Sequence, residues 1–247
     1  MIIHSYENSL RSDACIEYLR GCSICQTMDN IILLPIPTSR DKTTVLNTKI
    51  YINDVIELIC DKTLISAYGV DDEFISLARE RGALVADLAR DEEFLLENAY
   101  LTALAALGIY LGTTKVAPRD TSVGVVGYGR IGKRLTGLFL YLGARVRVFT
   151  SREDTRLELC ENGVSASVSG RDYDLSGLDI LINTAPATIF EKDKIPEDLR
   201  IIDLASGDNF IGIDGVEKYP SIPAKMFPTS AGRVWGRTLE RYLVNNL

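Results

Sequence analysis

The run Val123-Gly124-Val125-Val126-Gly127-Tyr128-Gly129-Arg130-Ile131-Gly132 constrains this chain more than any other stretch. Its first half is apolar and of strand length. Helical spacing follows from Arg130 to Leu142, with Ile131, Leu135, Leu138, Phe139 and Leu142 on one face, and Gly143 ends it. Val146 to Phe149 reads as a second strand. A Gly-x-Gly-x-x-Gly between a strand and a helix, inside a βαβ unit of about thirty residues, is the fingerprint of a dinucleotide-binding turn.

Each glycine has its own reason. Gly127 permits the tight turn out of the strand, Gly129 lets a pyrophosphate approach the backbone, and Gly132 lets the helix lie close on the sheet. The helix N-terminus offers free N–H groups and the positive end of its dipole. The expected cofactor-binding turn is therefore Gly127, Tyr128, Gly129, Arg130, Ile131 and Gly132. An NAD site ends its second strand in an acid that holds the ribose 2′-hydroxyl. Here the tip is Thr150-Ser151-Arg152. Two hydroxyls and a guanidinium suit a 2′-phosphate, and one charge-assisted hydrogen bond of about 1.5–3 kcal/mol favours NADP over NAD roughly 10- to 150-fold. Glu153 and Asp154 fit the acidic first turn of the next helix.

The 247 residues suffice for one large α/β domain or two smaller ones. A net charge of −7 argues against nucleic acid and an anionic membrane surface as partners. No apolar run approaches the roughly 18 residues of a membrane span, and the first residues lack a signal-peptide layout. A cytoplasmic protein is expected. Five cysteines form no even framework, and Cys22-Ser-Ile-Cys25, without a second pair, reads as ordinary thiols with no metal site.

Residues 1–95 read as a small α/β unit. Ile2-Ile3 ends a short strand, and Asn8 to Leu19 is a helix with Leu10, Ala14 and Leu19 inward. Asn30 to Leu34 is a buried strand stopped by Pro35-Ile-Pro37. Thr63 to Ala67 and Ala83 to Ala86 are further strands, flanking a helix from Asp71 to Arg81. A small-residued helix from Asp91 to about Leu111 connects to residues 118–228, the dinucleotide-binding domain; the connector proper is 96–117. That helix face packs within the chain or against a second copy in a homodimer. Leu178–Ile182, Arg200–Leu204 and Ala224–Phe227 are strand candidates. A last helix, within 229–247 and counted with the 1–95 unit as one small substrate domain, buries Val234, Trp235, Leu239, Tyr242 and Leu243. Alternation of this kind implies parallel sheets.

Ligands of doubly wound sheets lie beyond the carboxyl ends of the strands. Asn183, Thr184, Ala185, Pro186 and Ala205 are thus expected beside the cofactor, and Ser206 beside the substrate. The lone histidine, His4, lies far in sequence from these strands, so an imidazole proton shuttle is not expected. Asp41, Asp203, Asp208, Tyr68 and Tyr128 are acids and hydroxyls too common in kind to select by sequence, and the catalytic group stays unassigned.

The chain resembles the A subunit of bacterial dipicolinate synthase. The resemblance runs from about Ile31 to the end. It is carried by Ile32-Leu-Leu-Pro-Ile, Ala89-Arg-Asp-Glu with Glu97-Asn-Ala-Tyr-Leu-Thr-Ala, the nucleotide turn, Ile182-Asn-Thr-Ala-Pro-Ala, Ile202-Asp-Leu-Ala-Ser and Pro228-Thr-Ser-Ala-Gly-Arg. It implies a Rossmann NAD(P)-binding domain with a second, smaller flavodoxin-like α/β domain, in the formate/glycerate dehydrogenase-like arrangement. It further implies a cyclic dihydrodipicolinate-type dicarboxylate as substrate, oxidised to dipicolinate for sporulation, and a partner protein, the flavoprotein B subunit. Thr38, Ser39 and Arg40 would hold a substrate carboxylate. The chain departs from the family near its start, where a strand and helix between Leu19 and Ile31 are absent or compressed.

Three functions fit this reading. The first is an NADP-dependent oxidoreductase of the dipicolinate synthase A type. The others are a dinucleotide-binding regulatory subunit without catalysis, and a Rossmann oxidoreductase for another small acid.

Overall fold

The computed structural model describes residues 1–169, 173–187 and 190–247. The chain divides into two units, 1–98 with 223–247, and 99–222. Both are parallel α/β structures.

The first unit is a four-stranded sheet in the order β1 (Ile2–Ser5), β2 (Asn30–Leu33), β3 (Thr63–Ala67), β4 (Leu84–Asp87). On one face Ile32, Leu34, Ile65, Ala67 and Val85 meet a 3-10 helix at Ile52–Leu58 and helix α2 (Asp72–Glu80). The predicted cap holds: the Asp71 carboxylate accepts from the Phe74 N–H, and Phe74, Ile75 and Ala78 face in. On the other face are α1 (Leu10–Gly21) and α7 (Pro228–Asn246), packed on each other. Trp235 of α7, fully buried, donates from Nε1 to Ser66 Oγ of β3 at 2.7 Å.

Helix α1 corrects one expectation. Leu10 is 69% exposed, and the buried face is Arg11, Ser12, Cys15 and Leu19. Ser9 caps the helix, and an ion pair beside it draws a charged side chain inward where the apolar period alone points Leu10. Cys22 and Cys25 are buried and free, and burial raises the Cys25 thiol well above its ordinary value.

Helix α3 (Glu92–Thr113) begins in the first unit and runs into the second. Contrary to the sequence expectation, its length and hydropathy reach those of a membrane span; half of its apolar window is buried inside the fold, as in a core helix.

The second unit is a six-stranded parallel sheet. Its strands are β5 (Ser122–Val126), β6 (Arg145–Thr150), β7 (Ser165–Val168), β8 (Ile180–Asn183), β9 (Arg200–Asp203) and β10 (Glu217–Lys218). The order β10-β9-β8-β5-β6-β7 reverses between β5 and β8 and is that of the Rossmann fold. Helix α4 (Arg130–Tyr141) follows β5, and α5 (Glu153–Glu161) follows β6. Leu142, expected inward, is 37% exposed, because α4 ends one residue earlier and Gly143 turns the chain at φ +82°. Ala224–Phe227 is not a strand. Pro223 suits a helical first turn, and Ile222–Met226 forms α6, a short helix leading into α7. A four-residue apolar run carries too little period to separate the two states.

Two glycines let α7 sit on α1. A Cβ on Gly232 would fall 2.3 Å from the Arg11 carbonyl oxygen, and one on Gly236 2.6 Å from the Tyr18 ring. Gly232→Ala is therefore expected to destabilise the fold by about 3 kcal/mol, the upper range for overpacking against backbone. Thermal unfolding of the variant checks it.

Candidate functional site

The expected cofactor residues of the second unit share the carboxyl edge of its sheet. The turn after β5 begins with Gly127 at φ +86°, its N–H donating to the Phe149 carbonyl at 2.7 Å. A Cβ there would lie 2.8 Å from Thr184 Oγ1. Gly132 is the tightest point: its Cβ would fall 2.0 Å from the Gly127 carbonyl oxygen. Gly129 differs from both. Its φ is −81°, and a Cβ would meet nothing within 4 Å. Neither backbone conformation nor packing demands glycine at 129, and a side chain there would stand in open space at the strand ends. Arg130 and Ile131 open α4, whose N-terminus faces the same edge. Tyr128 is half-buried, burial raises its hydroxyl pKa, and the Lys133 ammonium stands 5.4 Å from its ring centre.

At the tip of β6, Thr150 is buried, and its Oγ1 accepts from the Arg152 N–H at 3.3 Å; Ser151 is exposed. Arg152 is exposed but engaged. Its Nε and Nη2 donate to the two Asp154 carboxylate oxygens at 3.1 and 2.5 Å. That hydrogen-bonded guanidinium holds the Asp154 carboxyl down at about 2.

Across the switch point, Thr184 donates from both N–H and Oγ1 to the Val126 carbonyl, at 2.9 and 2.7 Å, tying the end of β8 to the glycine turn. Asn183 is buried and satisfied within the protein. Its amide donates to Ala185 O and Asp203 Oδ1, and its carbonyl accepts from the Ala185 N–H. Asp203, also buried, accepts in addition from the Ala205 N–H at 3.1 Å and from the Asn209 amide at 3.2 Å. Asn209 in turn donates to the Ser206 carbonyl. Asn183, Asp203 and Asn209 thus form a buried polar network that shapes both loops, leaving Pro186 and Ser206 exposed and Ala185 and Ala205 half-buried on their surface.

Sequence reading did not select Asp203 or find Asn209. The signal was register: Asn183 and Asp203 are paired residues at the ends of adjacent apolar strands, where each completes the other's hydrogen bonds.

The other expected substrate residues lie in the first unit, in the loop beyond β2. Thr38 is fully buried, exchanging hydrogen bonds with the Tyr68 backbone: its N–H donates to Tyr68 O and its Oγ1 accepts from the Tyr68 N–H. Ser39 donates to Asp41. Arg40 is exposed, with no hydrogen bond or ion pair among the described residues. The loop's organiser is Asp41, whose carboxylate accepts from the Thr44 and Thr43 N–H groups and the Thr44 and Ser39 hydroxyls. These donors hold it far below the usual carboxylate range. His4 sits half-buried on β1.

At the start of this loop Glu7 and Arg11 form a bidentate pair, at 2.9 and 2.6 Å, with both side chains largely buried. Burial pushes the Glu7 carboxyl up, but Arg11, Ser9 and the Ile36 N–H outweigh it and hold it below its ordinary value. Pro35 and Pro37 have no N–H, so Ile36 offers the only one in Pro35-Ile-Pro37, and Glu7 accepts it at 3.3 Å. Arg11 donates to the Ile36 carbonyl at 3.2 Å.

No family model matches the chain. Over 188 residues, it is 23% identical to the A subunit of dipicolinate synthase from Bacillus subtilis (strain 168), a match spanning 71% of this chain and 63% of that protein. Among solved structures, the dipicolinate synthase A subunit from Bacillus halodurans superposes with a TM-score of 0.74 at 19% identity, over 98% of this chain and 97% of that one. Its Bacillus subtilis counterpart gives the same score and identity over 98% and 94%. An NAD-complexed D-isomer specific 2-hydroxyacid dehydrogenase from Lactobacillus delbrueckii ssp. bulgaricus shares the fold at a TM-score of 0.54 and 10% identity, over 99% and 96%.

The glycine turn and the buried pair can each be tested. Gly129→Ala should keep stability within about 1 kcal/mol yet weaken dinucleotide binding, whereas Gly132→Ala should cost about 3 kcal/mol, because its Cβ meets backbone. Denaturant unfolding and nucleotide titration of both variants separate these effects. The Glu7 pair, with its depressed carboxyl pKa, contributes stability that is fully present above about pH 4.5 and lost as pH falls below it. Acid unfolding of Glu7→Gln should lack that part of the acid limb.

Proposed function

We propose that this chain, which belongs to the family of dipicolinate synthase A subunits, is an NAD(P)-dependent oxidoreductase. The observation that carries the reading is Gly129, a glycine that neither backbone conformation nor packing requires, at the N-terminus of the helix after β5. The Rossmann strand order and the resemblance of the loops after β8 and β9 support it.

When bound, the dinucleotide supplies the hydride chemistry. The chain's own contribution is placement. Gly127, Tyr128, Gly129, Arg130, Ile131 and Gly132 would receive the pyrophosphate. Thr150, Ser151 and Arg152 would flank the adenosine ribose. The loops Asn183–Pro186 and Ala205–Ser206, stiffened by the Asp203 network, would border the nicotinamide. Of these, Asn183 and Thr184 act chiefly by shaping the edge, since their side chains are already satisfied inside the protein.

The cofactor we favour is NADP. Arg152 supplies the cation for a 2′-phosphate, and Asp154 is its competitor: a phosphate must displace that carboxylate. The substrate we propose is a cyclic dihydrodipicolinate-type dicarboxylate, with Arg40 the exposed cation of the loop organised by Asp41. The resemblance carries the same reading to a partner, the flavoprotein B subunit, and to a cytoplasmic role in sporulation.

Titration with NADPH and NADH, followed by nucleotide fluorescence, tests the cofactor reading. Arg152→Ala should weaken NADPH at least tenfold and leave NADH nearly unchanged, while Asp154→Asn should sharpen the preference for NADPH by freeing the guanidinium. If wild-type protein binds neither nucleotide, the oxidoreductase reading is lost.

A further inference from the structure

We infer that Arg11 is an anchor for a carboxylate of the substrate. This deepens the proposed function, resting on it only for the statement that the bound acid is a substrate. Nothing in the sequence pattern marks Arg11, which lies in the first turn of α1, on what the apolar period makes a surface position.

A guanidinium has five N–H donors. In Arg11 three are engaged: Nε and Nη2 with the two Glu7 oxygens, and Nη2 also with the Ile36 carbonyl. Nη1 has no hydrogen-bond partner among the described residues. The residue is only 6% exposed. Yet among the described residues the fully buried side-chain polar atoms left without a partner are Asn30 Oδ1 and Thr136 Oγ1. Nη1 is not one of them, so it reaches solvent. The result is a guanidinium fixed along one edge, with its remaining two donors unpaired and narrowly open to solvent.

The fixing is thorough. Glu7 follows β1, Ile36 follows β2, and the Trp235 ring of α7 stands beside the cation, 5.7 Å from Cζ to the ring centre. This is the carboxyl end of the parallel strands, where ligands of open α/β sheets bind. The same pair holds the backbone just ahead of the loop organised by Asp41. A buried ion pair is weak as a stabiliser, since apolar residues of like volume often do as well or better. Arginine at this position therefore points to what its free donors can take.

A carboxylate fits best. The pair is neutral overall, so one further negative charge is tolerated more easily than the two of a phosphate. Half-buried Ile36 and Pro37 suit an acid with an apolar body.

Trp235 is the chain's sole tryptophan, so its emission reports on this spot. The test titrates full-length protein with pyridine-2,6-dicarboxylate, with the uncharged 2,6-dicarboxamide and inorganic phosphate as comparisons. The expected result is a saturable change in Trp235 emission with the diacid alone. It should weaken at least tenfold in Arg11→Lys, which has no planar fork to hold Glu7 along one edge and a carboxylate at the other, and vanish in Arg11→Met. NADPH titration of both variants should match wild type, which also shows that they fold. The inference is overturned by an absent response in wild type, by an equal response to the diamide or to phosphate, or by diacid binding within twofold of wild type in both variants. The diacid and diamide comparison needs no variant, so misfolding cannot shield the inference. A wild type that responds to the diacid but binds no nucleotide would sink the oxidoreductase reading and uphold the carboxylate anchor.

Discussion

The second unit depends on one close approach. The Cα of Gly132 lies so near the Gly127 carbonyl that a single added carbon would fall 2.0 Å from that oxygen. This contact sets α4 against the end of β5. The helix N-terminus then lies at the switch point of the sheet, where the neighbouring strand ends converge. Thr184, bonded twice to Val126, draws the end of β8 to the same place. The candidate site is largely a result of where one glycine allows a helix to begin.

Around that point the protein satisfies its own polar groups. Asn183, Asp203 and Asn209 are buried, and they exchange hydrogen bonds with one another and with the loop backbone. A network of this kind is costly if any member is unpaired and rigid if all are paired. The first unit repeats the device at its own strand ends, with Glu7, Arg11 and the Ile36 backbone, and with Asp41 gathering four donors. In both units the loop surfaces are left free because carboxylates beneath or within them hold the backbone.

This division explains what the sequence made legible. Strand Thr63–Ala67, the Asp71 cap and the glycine turn follow from local patterns: apolar runs, a capping carboxylate, glycine spacing. The parallel sheets follow from strand and helix alternation. The buried polar groups do not, because hydrophobic period assigns polar residues to the surface. Arg11 and Leu10 exchanged their expected places for that reason, and Asn209 went unseen. Ala224–Phe227 failed differently, as a run too short to distinguish a strand from a helical turn. Arg152 was found, but its engagement with Asp154, two residues on, is a matter of rotamer and not of composition.

The order of the first sheet forces one connection of reversed hand. A flavodoxin-like sheet runs 2-1-3-4-5, and dropping its second strand leaves the sequential order seen in β1 to β4. Here α1 shares a face with α7, while the elements joining β2 to β3 and β3 to β4 cover the other. All four strands are parallel and consecutive, so the β1–β2 crossover turns with the opposite hand to the two that follow. About 98% of such crossovers share one hand. The reversal puts α1 on the face opposite the later connections, and α7 packs beside it there, with Trp235 reaching Ser66 of β3.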